Sequence, residues 1–251
     1  MALFKSSNPT LRVDTFKKSI ETGEEVGVMT IQGTVNKTAI LALITLASSI
    51  YTWNLFIDAQ EIFEIKNLLI MSSIFATILA IIIVFSKKSA PYLAPIYCFL
   101  QGLALGGLSA FMERSFPGIV LQAITLTFSI LFSLLLIYRL GIIKATENFK
   151  LIVGSATLGI AAFYLISIVG SFFGLQIPLI HDNGLGGVIF SLFVVIIAAL
   201  NLVVDFDFIE QGASMKAPKY MEWYGAFGLM VTIIWLYIEI LRLLGKLRSR
   251  N

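Results

Sequence analysis

Seven stretches of this chain carry no charged residue: Thr38–Ile57, Asn67–Ser86, Ser89–Met112, Ser115–Tyr138, Leu151–Ile180, Asn183–Val204 and Trp223–Ile238. A bilayer core about 30 Å thick takes roughly 20 apolar residues in a helix. The first six stretches are long enough to span it. The seventh is short, and reaches membrane length only if Glu239 and Arg242 are taken inside and the run extends to Leu244. The pattern predicts an all-α membrane protein, a bundle of seven transmembrane helices. Six spans plus a shallow or re-entrant last segment is the alternative. Residues 1–37 then form a polar arm, 38–245 the bundle and 246–251 a basic tail.

Composition agrees with this reading. The chain is 58% hydrophobic and 13% charged, against about 25% charged in soluble domains. Its net charge of +3 is small, and no basic tract with interleaved aromatics suggests nucleic-acid binding. The single cysteine, Cys98, lies in an apolar run, which excludes an intrachain disulfide and fits a buried structural thiol. The polar, mixed-charge opening does not read as a cleavable signal peptide. With no zinc spacing, P-loop or nucleophile–base set, the chain is not expected to be an enzyme and no cofactor is expected. His181, the only histidine, rules out a histidine-rich metal site and reads as a solvated loop residue.

Lys and Arg in the connections give orientation. Twelve lie before the first span and in the second-to-third, fourth-to-fifth and sixth-to-seventh links; the opposite links hold only Lys66 and Arg114. The N-terminus is therefore expected in the cytoplasm, and the acidic first link (Asp58, Glu61, Glu64) outside. The tail breaks the pattern: Arg242, Lys246, Arg248 and Arg250 would be exported by a full seventh span. Either the last helix does not cross fully, or its neighbours override the charge signal.

Gly102, Gly106 and Ala110 recur every four residues in the third span, a stripe that lets helix backbones approach closely. Ser155 and Gly159 suggest a second such face on the fifth span. Pro95 removes a helical hydrogen bond and predicts a kink. Trp53, Trp223 and Trp235 read as interface anchors, with Trp235 the deepest candidate.

The sixth run ends in Asp205-Phe-Asp207-Phe-Ile-Glu210. Ionisable groups in or near hydrocarbon are costly and mark ion or proton paths. Asn201 and Asp205 share a helix face; Asp205 and Asp207 diverge by about 200° if the helix continues. Burial and the helix C-terminus disfavour a carboxylate's charged form, and a partner cation favours it. A group balanced in this way suits pH gating. Lys87 and Lys88, at the matching end of the second span, are candidate partners. The alternative is that these acids simply sit in water past a helix end, most readily Glu210. Glu239 is flanked by apolar residues, with Arg242 three residues on. It reads as a snorkelling ion pair or as a contact in an ion pathway. Glu222, about 25 Å away along the helix, cannot share its site.

These features together resemble the Bax inhibitor-1 family, also called transmembrane Bax-inhibitor-motif or YccA-like proteins. The resemblance rests on seven apolar segments, an acidic end to the sixth, and a last segment reading Leu-Tyr-Ile-Glu-Ile-Leu-Arg-Leu-Leu. The third span, Tyr97-Cys-Phe-Leu-Gln-Gly-Leu-Ala-Leu-Gly-Gly-Leu-Ser109, is similar to the family's Tyr…Gly…Gly-x-x-Ser pattern. The arm looks like that of a prokaryotic subgroup. The resemblance implies a last helix surrounded by the other six, a multi-pass protein of the bacterial inner (plasma) membrane, and a pH-sensitive calcium leak. It makes Asp205 the first aspartate of a pH-sensing pair and a calcium contact, and Lys87 or Lys88 a latch. The second aspartate of the pair falls on Thr232, which cannot share a proton in the same way; Asp207 is a possible substitute. Gln101 stands where relatives carry an acid. Three functions follow: an ion leak, best suited to calcium or protons; a non-transporting regulator binding a membrane protease of the FtsH type through the arm; and, less well supported, a small-solute transporter.

Overall fold

The computed structural model describes residues 27–58, 62–174 and 184–250, with the side chains of 58 and 62–65 left aside. The first 26 residues of the arm, Glu61 with its link, and His181 lie outside the described residues. Seven helices are long and apolar enough to cross a membrane. They are α1 (Ile31–Asp58), α2 (Ile62–Phe85), α3 (Ala90–Ser115), α4 (Ile119–Arg139), α5 (Glu147–Phe172), α6 (Leu185–Ser214) and α7 (Met221–Arg248), with a short 3₁₀ turn at Lys87–Ser89 before α3. Among the described residues the only β pairing is one antiparallel bridge, Val28 to Pro218. This is an all-α membrane bundle.

The helices run past the charge-free stretches. Helix α1 starts at Ile31 and takes in Lys37; α6 continues through Asp205, Asp207 and Glu210 to Ser214. The last helix has 28 residues, about 42 Å at 1.5 Å per residue, so the short or re-entrant alternative is set aside. No residue of α7 from 221 to 246 is exposed.

The chain forms two compact units. One holds α1, α2, α3, the end of α6 from Phe208 and the start of α7 to Val231; the other holds α4, α5, α6 to Asp207 and α7 from Thr232.

In the first unit both α1 and α2 pack on α3. The small-residue stripe makes this possible. A methyl on Gly102 would overlap Ser48 and the Thr45 carbonyl, and one on Gly106 would overlap the Ser49 backbone. Thr45 Oγ1 donates to the Cys98 carbonyl of α3 at 3.3 Å. Ala110 packs with Phe56, Trp53 and Leu69, so Trp53 is packed against its neighbours as well as lying near a helix end.

In the second unit Ile160, Val194 and Ile197 form a buried cluster covered by Ala156, Tyr164, Phe190 and Trp235. The expected close-contact face of Ser155 and Gly159 is absent. Both residues are exposed, and nothing lies within 4 Å of where a Gly159 Cβ would be. Small residues permit close packing, but here α5 turns a different face to its partners. Helix α5 opens on Thr146, whose hydroxyl accepts from Phe149 N, with Glu147 in the first turn beside the positive end of the helix dipole.

Candidate functional site

Asp205 lies on α6 with its Oδ2 withdrawn from solvent and without a hydrogen-bond partner. Its carboxylate accepts a hydrogen bond from Thr232 of α7. Thr232 thus meets Asp205 as a hydroxyl donor. A buried, unpaired polar oxygen is an expensive arrangement. Binding a proton or a cation relieves it.

Asp207 points elsewhere, as the 200° divergence requires. Lys150 of α5 holds it at 2.7 Å and also reaches Glu147 at 3.4 Å. Asn201, one turn before Asp205, donates to Thr157 Oγ1 of α5 at 2.8 Å and to the Ile197 carbonyl at 2.8 Å. Glu210 is exposed.

Glu239 is 1% exposed and carries a full set of partners. Arg242 Nη1 donates to both of its oxygens at 3.1 Å, Tyr164 Oη donates at 3.0 Å and Trp235 Nε1 at 3.3 Å. Arg242 also donates to Tyr164 Oη at 2.6 Å and lies 5.2 Å from that ring's centroid. The Glu239–Arg242 pair read from the sequence is present, but inside a four-residue cluster rather than alone at an interface.

The tail is tied down through the same unit. Arg242 reaches α5, Lys246 donates to the Gly187 carbonyl of α6 at 3.0 Å, and Arg248 donates to Gln122 Oε1 of α4 at 3.0 Å. Three basic residues thus each find a different neighbouring helix.

In the other unit Lys87 Nζ lies 5.5 Å from the Tyr224 ring centroid, and Lys88 is exposed. The same unit holds a cluster that the sequence did not single out. Glu222, fully buried, binds Lys37 and, at 2.7 Å, Lys219. It also accepts from Thr30 N at 2.9 Å and Thr30 Oγ1 at 2.8 Å. The space for its carboxylate exists because residue 33 is glycine. Beside it Met29 N donates to the Ala217 carbonyl at 2.7 Å. Gly33 and Lys37 at helical spacing were the available signal; nothing local to residue 222 pointed to them.

No group of three or more His, Cys, Asp or Glu gathers among the described residues to hold a metal ion. A cation at Asp205 would take one carboxylate and complete its shell from hydroxyl, carbonyl or water oxygens.

Family comparison fits this architecture. The model of the Bax inhibitor 1 like family matches residues 8–249. The chain belongs to that family. No curated protein and no solved structure gives a significant match. Within this Bax inhibitor 1 like chain, the buried acid of α6 and the hydroxyl of α7 are hydrogen-bonded neighbours.

Proposed function

We propose that this Bax inhibitor 1 like protein is an ion leak channel of a bacterial plasma membrane, with its N-terminus in the cytoplasm and calcium as the favoured ion. The observation that carries the reading is the unpartnered, buried Oδ2 of Asp205 beside Thr232. Calcium binds oxygen ligands, six to eight of them when fully held. One carboxylate and one hydroxyl make a site too poor for storage and suited to passage, since conduction needs binding weak enough to release. Protons and calcium compete for the same oxygen, which makes the leak pH-sensitive. Lys87 or Lys88 acting as a latch belongs to this proposal.

Purified protein in liposomes loaded with a calcium indicator tests it. Calcium entry that varies with pH and is lost in Asp205→Asn is the expected result. Absence of entry from acid to mildly alkaline pH, or entry unchanged by Asp205→Asn, refutes it.

A further inference from the structure

We infer that the ion path of the second unit runs along one face of α5 and is closed by an apolar gate formed by Ile160, Val194 and Ile197. The inference rests on the channel reading above and names the residues that line and seal it.

Lys150, Thr157 and Tyr164 are spaced by seven residues along α5. Seven residues return to within about 20° of the starting direction, so the three lie on one stripe, about 10.5 Å apart. Each meets a polar group of α6 or α7: Lys150 meets Asp207 at 2.7 Å, Thr157 meets Asn201 at 2.8 Å, and Tyr164 meets Glu239 at 3.0 Å and Arg242 at 2.6 Å. Helix α5 is otherwise largely apolar, and its outward positions Leu158, Leu165 and Ile166 are more than half exposed. A stripe of polar residues on the opposite, packed side is what a path for water or ions requires.

The stripe joins two stations. One is Thr157–Asn201, with Asp205 one turn further along α6. The other is the Glu239–Arg242–Tyr164–Trp235 cluster. Between them, and up to the level of Tyr164, the same helices contribute Ile160, Ile197 and Val194, exposed by 5%, 6% and 0%. Tyr164 and Trp235 belong to both sets, packing on this cluster while bonding to Glu239. Apolar constrictions between polar stations block ions by excluding water. On this geometry the described conformation is shut at the apolar cluster, not at Asp205. The polar contacts of Tyr164 and Trp235 couple the seal to Glu239 and Arg242.

Isosteric substitution tests the gate. Val194→Thr keeps nearly the same shape while adding a hydroxyl to the seal; Ile160→Thr adds the hydroxyl and also removes one methyl, so it is compared with Ile160→Val. Calcium entry into liposomes is expected to rise several-fold in each. Val194→Ala, which loosens the seal without polarity, is expected to raise it less than Val194→Thr. Cysteine accessibility reads the same path without requiring calcium. In a Cys98→Ala background, Thr157→Cys is expected to react with a charged, membrane-impermeant thiol reagent faster when Val194→Thr is added. The exposed neighbour Leu158→Cys, facing lipid, stays unreactive. Monodisperse protein with unchanged helical content is required of every variant; if Val194→Thr does not fold, Ile160→Thr carries the test. Entry intact in the parent protein but unchanged in both threonine variants, with Thr157→Cys unreactive throughout, overturns the gate and leaves the channel reading standing. No entry in any variant overturns the channel reading instead, and thiol reactivity alone then decides whether the track admits water.

Discussion

Thr232 donates a hydrogen bond to Asp205 and leaves the aspartate's Oδ2 buried without a partner. The pair joins α6 to α7. Thr232→Val keeps the shape and removes the donor, so the carboxylate is left with no partner on either oxygen, one more unsatisfied group than in the parent. Unsatisfied buried groups cost about 1–3 kcal/mol each. Thr232→Val is therefore expected to lower the melting temperature of the purified protein by several degrees, while Thr232→Ser stays near the parent. Equal melting of the valine and serine variants would show that the bond contributes nothing to stability.

Glu222 is the better-satisfied acid and the more structural one. Its carboxylate binds two lysines and two Thr30 donors, and it clamps the approach to α1 onto the start of α7. Glu222→Gln keeps an acceptor for Thr30 and gives up the charge. Hydrogen bonds to charged groups are worth about 1.5–3 kcal/mol, and Lys219 is half exposed, so its share is at the low end. A loss of about 2–3 kcal/mol is expected, read as a shift in thermal unfolding. Lys37→Met should cost much of the same energy, and the two changes together less than their sum. Full additivity would mean that Lys37 and Glu222 do not act as a pair.

Gly33 has a sharper role. A methyl there would occupy the place of the Glu222 carboxylate, which four donors pin. Overpacking of this kind costs about 1–3 kcal/mol. Gly33→Ala is expected to destabilise the parent protein and to cost far less in a Glu222→Ala background, where the space is free. The measurement is the double-mutant cycle in thermal unfolding; a Gly33→Ala penalty that survives Glu222→Ala contradicts the fit.

Much of the architecture was legible because its signals are local. Charge-free runs of membrane length mark six helices directly, and the four-residue spacing of Gly102, Gly106 and Ala110 marks a packing face that the structure uses. The same rule failed at Ser155 and Gly159, where small size allows contact but the orientation of α5 decides whether a partner is there. Asp205 and Thr232 could be paired from the sequence only through the family resemblance, since 27 positions separate them. The Glu222 clamp joins residues 30, 33, 37, 219 and 222, and no local pattern brings residues so distant in sequence together. The heptad of Lys150, Thr157 and Tyr164 was visible in principle. It stayed hidden because three isolated polar residues on an apolar helix read as scattered until their partners are known.

Glu239 and Arg242 are unequal partners, and their variants should show it. Glu239 is buried, with 2% side-chain exposure, whereas Arg242 has 36%. Removing the acid leaves a guanidinium that is partly exposed and keeps its bond to Tyr164 Oη, so Glu239→Ala loses only the bonds to the acid, about 1–3 kcal/mol. Removing the base leaves a carboxylate enclosed by protein, with Tyr164 and Trp235 as its remaining donors. Breaking a buried pair in that direction costs about 3–5 kcal/mol. Arg242→Ala is thus expected to lower the unfolding temperature more than Glu239→Ala, and the double variant to recover part of the difference by removing the stranded charge. Tyr164→Phe, which deletes one donor to Glu239 and one acceptor for Arg242 but leaves the ion pair, should cost less than Arg242→Ala. The reverse order, with Glu239→Ala the more damaging, would mean that Arg242 depends on the acid to stay in place and that the cluster serves the cation rather than the carboxylate.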